Sequence, residues 1–188
     1  MNPVTILMIS GSLRAGSTNT ALLQTAQAVA PMGVNAVLYT GLGQLPHFNP
    51  DDDQGSLHPA VRDLRAALAA ADALLFSTPE YAGALPGSFK NLLDWTVGGG
   101  ETYCMPAAWI NAAGTASPTG AADAHASLRR VLGYTGTVIV EAACTRIPVA
   151  RQSIGAEGLI ADAAIREQVA SVLGTLATHV WLSPRGAE

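Results

Sequence analysis

The chain has 188 residues, of which 49% are hydrophobic and 13% are charged. This length and composition favour a single domain over residues 1–188 with one sizeable core. Ten basic and fourteen acidic side chains give a formal net charge of −4. With only one lysine, the chain lacks the basic surface that binds nucleic acid, and no apolar run approaches the roughly 20 residues that cross a bilayer. We therefore expect neither a nucleic-acid partner nor a membrane partner.

The cysteines and histidines show no spacing typical of a disulfide framework or a metal site. Cys104 and Cys144 lie far apart in the sequence, and we interpret them as two ordinary half-buried thiols. The four histidines share no metal-ligand spacing. Because no basic leader precedes the first apolar run, the expected location is the cytoplasm and no bound metal is expected.

Short runs rich in apolar β-formers predict strands, and apolar side chains at helical spacing predict helices. A stretch rich in Gly, Pro and Asp predicts a long surface loop. In chain order, the predicted elements are a strand at 4–9, a helix at 18–30, a strand at 34–39, the loop at 41–55, a helix at 59–71, a strand at 73–77, a helix at 87–97, a strand at 107–113, a helix at 121–132, a strand at 136–141 and a helix at 160–181.

Strands that alternate with helices predict parallel βαβ units in an α/β three-layer sandwich, with helices on both faces of the sheet. Five strands joined by right-handed crossovers predict the flavodoxin-like order 2-1-3-4-5. Ligands of such sheets bind beyond the carboxyl ends of the strands, near the point where the strand order reverses. The candidate site therefore comprises the loops after strands one, three and four, at residues 10–19, 78–86 and 114–120.

The first of these loops has the composition of an anion-binding loop. Residues 11–20 read Gly-Ser-Leu-Arg-Ala-Gly-Ser-Thr-Asn-Thr, and helix-start N–H groups, hydroxyls and the Arg14 guanidinium can surround a phosphate. Ser17 stands where an NTPase P-loop has lysine, and Leu13 stands where a dinucleotide fingerprint needs glycine. A pocket for one terminal phosphate remains, which suits FMN. Ser, Thr and Asn also cap helices routinely, and the loop alone leaves that alternative open.

The second loop and the helix after it make the sequence recognisable. Residues 78–95 read Thr-Pro-Glu-Tyr-Ala-Gly-Ala-Leu-Pro-Gly-Ser-Phe-Lys-Asn-Leu-Leu-Asp-Trp. With the first loop, this segment resembles the NADPH-dependent FMN reductase family, which includes quinone, azo-dye and chromate reductases. The family patterns are Gly-Ser-Leu/Ile-Arg-x-x-Ser-x-Asn and Pro-Glu-Tyr-Asn-x-x-x-Pro-Gly-x-x-Lys-Asn-x-x-Asp-Trp. The predicted elements are compatible with the family from residue 4 to the C-terminal helix.

The resemblance implies an FMN site built from these loops. The implied phosphate-side residues are Ser12, Arg14, Ser17, Asn19 and Thr20. The implied isoalloxazine-side residues, acting mostly through main-chain atoms, are Pro79, Glu80, Tyr81, Ala82 and Gly83. Ala82 replaces the family's asparagine, so a side-chain contact to flavin or substrate is lost there and the acceptor preference is open. In the third loop we expect Ser117 to hydrogen-bond the ring edge, although a simple turn before a helix also fits its composition.

The resemblance also implies the reaction. NADPH or NADH would reduce FMN and leave, and a quinone, free flavin, azo compound or chromate would then enter the same cleft in a ping-pong cycle. No protein acid, base or nucleophile stands out, as expected when flavin N5 performs the hydride chemistry. Two alternatives are a flavodoxin-like electron carrier without nicotinamide turnover and a flavin-free scaffold. The modest net charge and the single loop aromatic, Tyr81, argue against the carrier, and the intact phosphate loop argues against the scaffold.

The helix at residues 87–97 bears on assembly. Helical spacing places Phe89, Leu92 and Leu93 on one face and directs Trp95 about a third of a turn away from it. Trp95 either forms an extra apolar surface that a second subunit covers or packs beneath the 41–55 loop. The resemblance implies dimers or tetramers with flavin clefts close to subunit contacts. We therefore expect a homodimer or homotetramer in which this helix contributes to the interface and a neighbouring chain helps to wall the acceptor site.

Overall fold

The predicted parallel sheet is present, with one segment more than expected. A computed structural model describes residues 2–114 and 117–183. The strands are β1 (Val4–Ser10), β2 (Val34–Tyr39), β3 (Ala73–Ser77), β4 (Pro106–Asn111), β5 (Val138–Ile139) and β6 (Thr145–Arg146). Five of them follow the order β2-β1-β3-β4-β5, all parallel, and β6 pairs in parallel with β4. The flavodoxin-like order predicted from the sequence is confirmed.

Helices cover both faces of the sheet. The helices are α1 (Thr18–Ala28), α2 (Pro59–Ala69), α3 (Gly87–Trp95), α4 (Ala122–Tyr134) and α5 (Ala163–Leu182). Apolar residues of α1 and α5 form one core cluster, and those of α2, α3 and α4 form the other. Side chains of β1 alternate between the clusters, Ile6 facing the first and Leu7 the second, because successive strand residues point to opposite faces. In the described part of the chain, no helix is long and apolar enough to span a membrane.

The fifth strand is shorter than predicted. Residues 136–141 were expected to form it, but only Val138–Ile139 pair with β4 before a short 3-10 helix at Glu141–Ala143. Where the chain leaves the sheet, Glu141 forms an ion pair with Arg129 of α4, and Ala143 packs into the core on the α1 and α5 side. It then rejoins β4 as β6. Two short segments therefore occupy the place of one continuous strand.

The last helix starts later than predicted. Helix α5 begins at Ala163 rather than at residue 160, because the Asp162 side chain accepts the Ile165 N–H at 2.9 Å and acts as its cap. Ile160 is instead fully buried before the helix.

The two thiols differ in exposure. Cys144 is half-buried as expected, whereas Cys104 is exposed, so the prediction for Cys104 is wrong.

Trp95 lies beneath the loop at residues 41–55, so it offers no apolar surface to a partner. Its exposed fraction is 0%, its indole N–H donates to the Pro46 carbonyl at 2.9 Å, and the Phe48 ring meets it edge-on with centroids 5.0 Å apart. Asn91 holds the same loop, since its Nδ2 donates to Pro46 O at 2.8 Å and its Oδ1 accepts the Phe48 N–H at 2.7 Å. Of the two alternatives for Trp95, packing under the loop is confirmed.

Candidate functional site

The three candidate loops meet at the carboxyl edge of the sheet because their strands are neighbours in register. Ser10 is paired with Ser77, and the N–H of Gly11 donates to the Ser77 carbonyl at 2.9 Å. A Cβ atom at Gly11 would lie 2.3 Å from the Thr78 hydroxyl oxygen and 2.9 Å from a ring carbon of Phe89. Only glycine fits there, which explains why the first loop opens with this residue.

The first loop combines a helix cap with free N–H groups. Ser17 caps α1, its hydroxyl accepting the Thr20 N–H at 3.4 Å, and the Ser10 and Thr20 hydroxyls lie 2.8 Å apart. The N–H groups of Thr18 and Asn19 have no protein acceptor among the described residues. Capping and anion binding therefore coexist in this loop, because the cap uses only one of the first-turn donors.

Two polar residues of the first loop have different surroundings. Arg14 is exposed, and within the described residues its guanidinium makes no ion pair. Asn19 is 7% exposed, and its Oδ1 accepts a hydrogen bond from the Ser77 hydroxyl at 2.9 Å. The same Ser77 hydroxyl lies 2.9 Å from the Ile110 carbonyl of β4. Asn19 thus ties the start of α1 to β3 and β4, whereas Arg14 is available to a ligand.

A cavity of about 350 Å³ lies between the three loops, within the usual size range of small-molecule pockets. Of the predicted residues, those lining it are Asn19, Pro79, Glu80 and Ser117. A second cavity of about 320 Å³ lies toward β2. Its lining includes Ser12, Arg14 and Thr20. The predicted residues are therefore not gathered in one cavity, and four of them, Ser17, Tyr81, Ala82 and Gly83, line neither of these two.

The second loop carries a two-residue hairpin turn. Tyr81 and Ala84 exchange two backbone hydrogen bonds of 3.1 Å, and the central residues Ala82 and Gly83 have φ values of 51° and 70°. Positive φ at both positions is the type I′ pattern, for which Asn-Gly is the preferred pair. The family's asparagine therefore has a backbone reason that is independent of any flavin contact. Alanine at this position carries a conformational cost.

Restoring that asparagine is expected to stabilise the turn. Ala82→Asn should raise the free energy of unfolding by about 0.5–1 kcal/mol, since asparagine tolerates left-handed backbone better than alanine. Urea denaturation of the two proteins measures the difference. Ala84→Asn, at an exposed position of the same turn without a positive φ, is the matched control. Equal stability of the two variants would contradict the backbone explanation.

Glu80 is not a simple surface carboxylate. Its oxygens accept from the Thr119 hydroxyl at 2.6 Å and from the N–H groups of Asp123 and Ala124 at 3.0 and 3.1 Å. These hydrogen bonds, led by the one from Thr119, lower the pKa of Glu80. Nearby, burial lowers the pKa of His125, whose Nδ1 lies 2.7 Å from the Ala121 carbonyl. Glu80 is therefore ionised at neutral pH and fully engaged with the start of α4.

The third loop is held by two residues that sequence reasoning missed. Asn111 donates through Nδ2 to the Gly120 carbonyl at 2.7 Å and accepts the Ala113 N–H at 2.9 Å. The Arg146 guanidinium donates to the carbonyls of Ala113 and Gly114 at 3.2 and 3.4 Å. Asn111 could have been found as a site residue, because it is the polar residue at the end of an apolar strand. Arg146 could not, because its strand, β6, was not predicted. Residues 115 and 116 of this predicted loop lie outside the described residues.

Comparison with known proteins identifies the family. A family model described as NADPH-dependent FMN reductase matches residues 4–151. The chain belongs to this family. It is 35% identical to an NAD(P)H-dependent FMN reductase of Pseudomonas aeruginosa, over 95% of both chains. It is 30% identical to a 2-hydroxy-1,4-benzoquinone reductase of a Burkholderia species, over 93% of this chain and 95% of that one.

Solved structures agree with this FMN reductase assignment. The flavoenzyme NAD(P)H:(acceptor) oxidoreductase FerB of Paracoccus denitrificans superimposes with a TM-score of 0.78 and 29% identity, over 94% of this chain and 98% of that one. A flavodoxin variant of Pseudomonas aeruginosa superimposes with a TM-score of 0.60 and 18% identity, over 93% and 99%. The second similarity shows the fold alone, and it is the flavodoxin-like fold predicted from the sequence.

FMN is the cofactor of an FMN reductase, and the residues present fit it. The N–H groups of Thr18 and Asn19 and the Arg14 guanidinium, which have no acceptor or ion pair within the described residues, suit a terminal phosphate. The cavity between the loops is lined by apolar residues such as Pro79 and Val149 and by polar ones such as Asn19 and Ser117, a mixture that suits a flavin ring with polar edges. Within the described residues, no cluster of three or more His, Cys, Asp or Glu side chains offers a metal site.

Proposed function

We propose that the protein is an FMN-dependent oxidoreductase that passes hydride from NADPH or NADH to a small-molecule acceptor in a ping-pong cycle. The observation that carries this proposal is the cavity at the carboxyl edge of the sheet, bounded by all three candidate loops and adjoining the free N–H groups at the start of α1. When bound, FMN supplies the hydride transfer at its N5 atom. The protein binds and orients it.

The chain's own residues have binding roles in this proposal. Ser12, Arg14, Ser17, Asn19 and Thr20 hold the phosphate group. Main-chain atoms of residues 79–83, together with the Ser117 side chain, border the ring. Among the described residues that line the cavity, Glu80 is the only titratable one, and its oxygens are already engaged by α4 and Thr119. Among the described residues of the cavity wall, no side chain is therefore available to act as an acid or base.

The proposed acceptors are quinones, free flavins, azo compounds and chromate. Quinones come first, since the Burkholderia relative is a benzoquinone reductase. In this proposal the flavin ring occupies the cavity of about 350 Å³ between the three loops. Nicotinamide and acceptor then share the open face of that ring in turn, which is the basis for proposing ping-pong kinetics. Reducing conditions and a supply of NAD(P)H are found in the cytoplasm, which is the compartment proposed for this activity.

Flavin absorbance and anaerobic reduction test the proposal. The purified protein should show flavin absorption bands that bleach on anaerobic addition of NADPH or NADH and return when a quinone is added. Initial rates at several quinone concentrations should give parallel double-reciprocal plots. Flavin absorption bands that bleach with neither NADPH nor NADH would favour a flavodoxin-like electron carrier. Failure to bind FMN would leave a flavin-free scaffold.

A homodimer or homotetramer is also proposed, as an extension of the family assignment. With Trp95 buried, an interface on α3 has to use its outer face, where Lys90 and Asp94 pair at 2.6 Å and Val97 follows with 64% exposure. Sedimentation at micromolar concentration should give a species of at least twice 19.2 kDa. A single active species near 19.2 kDa would contradict both the oligomer and the acceptor site walled by a second chain.

A further inference from the structure

Helix α4 begins without a cap from its own segment. The preceding residue, Ala121, has a left-handed φ of 60° and no side chain that can accept a hydrogen bond. The Ala122 N–H donates to the Thr119 carbonyl at 3.2 Å. The next two N–H groups, of Asp123 and Ala124, donate to Glu80 Oε2 at 3.0 and 3.1 Å. Two of the three first-turn donors of this helix are thus satisfied by a carboxylate from another loop.

The same carboxylate also holds the third loop. Thr119 donates its hydroxyl to Glu80 Oε1 at 2.6 Å, and that hydroxyl oxygen accepts the Ala121 N–H at 3.2 Å. Each Glu80 oxygen therefore has its own partners, Oε1 in the third loop and Oε2 on α4. A negative charge at this point is further stabilised by the positive end of the helix dipole.

Along the chain, Glu80 stands at the base of the second loop. It follows Pro79, and it immediately precedes the hairpin turn that Tyr81 closes with Ala84. Pro79 and Glu80 line one wall of the 350 Å³ cavity, while Ser117 and Thr119 line another. The hydrogen bonds of Glu80 are thus a direct polar connection between two walls of the cavity.

We propose that Glu80 is a positioning residue that clamps the second loop to the third loop and to α4, and so sets the width of the flavin cavity. The clamp itself follows from the contacts above, whereas its effect on FMN rests on the proposed function. Because Glu80 acts through its carboxylate on Thr119 and α4, it needs no side-chain contact with the ring. Its loss should loosen both walls without removing an FMN ligand.

Three variants test the clamp in flavin-free protein. In Glu80→Ala, the amide hydrogens of Asp123 and Ala124 should exchange at least about tenfold faster, because two hydrogen bonds to a charged acceptor are lost. Glu80→Gln should give a smaller increase, since a carboxamide of the same size keeps one acceptor oxygen. Asp123→Asn removes a negative charge from the same helical turn without touching the cap and should change exchange less than either Glu80 variant. Unchanged exchange in both Glu80 variants would overturn the clamp.

FMN titration tests the effect on the cavity. Glu80→Ala should raise the Kd for FMN by about tenfold and shift the absorption bands of bound flavin, Glu80→Gln should lie between it and the wild type, and Asp123→Asn should match the wild type. Faster exchange with an unchanged Kd and unchanged bands would overturn the effect on the cavity. A wild-type protein that binds no FMN would overturn the proposed function, while the exchange measurement would still decide the clamp. If Glu80→Ala does not fold, Glu80→Gln carries both measurements.

Discussion

Replacement of Trp95 by alanine is expected to lower the free energy of unfolding by about 3–5 kcal/mol. The indole is wholly buried, packs edge-on against Phe48 and donates to the Pro46 carbonyl. The variant loses the apolar contacts of a large ring and leaves a cavity between α3 and the 41–55 loop. Chemical denaturation monitored by circular dichroism measures the change.

Two further variants separate packing from hydrogen bonding. Trp95→Phe keeps a ring but loses the indole N–H, and we expect a smaller loss, to which the hydrogen bond contributes about 0.5–1.5 kcal/mol, since Asn91 still donates to Pro46. Tyr134→Ala removes an aromatic ring that is 89% exposed and should change stability by no more than about 0.5 kcal/mol. A Trp95→Ala protein as stable as Tyr134→Ala would show that Trp95 does not anchor the loop.

Replacement of Arg14 by alanine is expected to weaken FMN binding by about 1.5–3 kcal/mol, the contribution of a charge-assisted hydrogen bond. The guanidinium is exposed and without an ion pair among the described residues, so it does not have to leave a protein partner in order to meet a phosphate. This loss corresponds to a Kd raised by roughly one to two orders of magnitude. Quenching of flavin fluorescence on binding measures it, and apoprotein should accumulate during purification.

A matched control comes from α2. Arg62 is also exposed, and Arg62→Ala removes the same charge away from the predicted phosphate site, so it should leave the Kd for FMN unchanged. The difference between the two variants should shrink at high salt, because exposed charges are screened. Equal affinities of Arg14→Ala and wild type would leave the phosphate to the main-chain N–H groups and hydroxyls alone.

The layer order of the fold and the three loops that bound the cavity were predictable from the sequence alone. Continuous apolar runs, such as residues 4–9 and 73–77, predict strands that are buried on both faces. Because these strands alternate with helices, only a few parallel sheet topologies are possible. The carboxyl edge of the sheet then follows, and with it the loops around Arg14 and Glu80. The family motifs in those loops were recognisable for the same reason, since each is a short contiguous string.

The partners of individual side chains became apparent only in the folded chain. Helical spacing showed that Trp95 points away from Phe89, but only the folded chain brings Pro46 and Phe48 over it. The segment that follows Val138–Ile139 meets α4 through an ion pair between Glu141 and Arg129. Neither contact leaves a periodic signal, because the partners are far apart in the sequence.

Glu80 shows the same limit at the site. In the sequence it is one carboxylate in a loop, and nothing nearby indicates that a helix starting about forty residues later lacks a cap. Local patterns fix local conformation through sterics and periodicity. A helix cap supplied by a residue from another loop requires both loops to lie at the same edge of the sheet. Its hydrogen bonds therefore stabilise the protein only after the strands have paired. For this protein, the sequence determined where the cavity lies, and the tertiary contacts of Glu80, Asn111 and Arg146 determined what holds its walls in place.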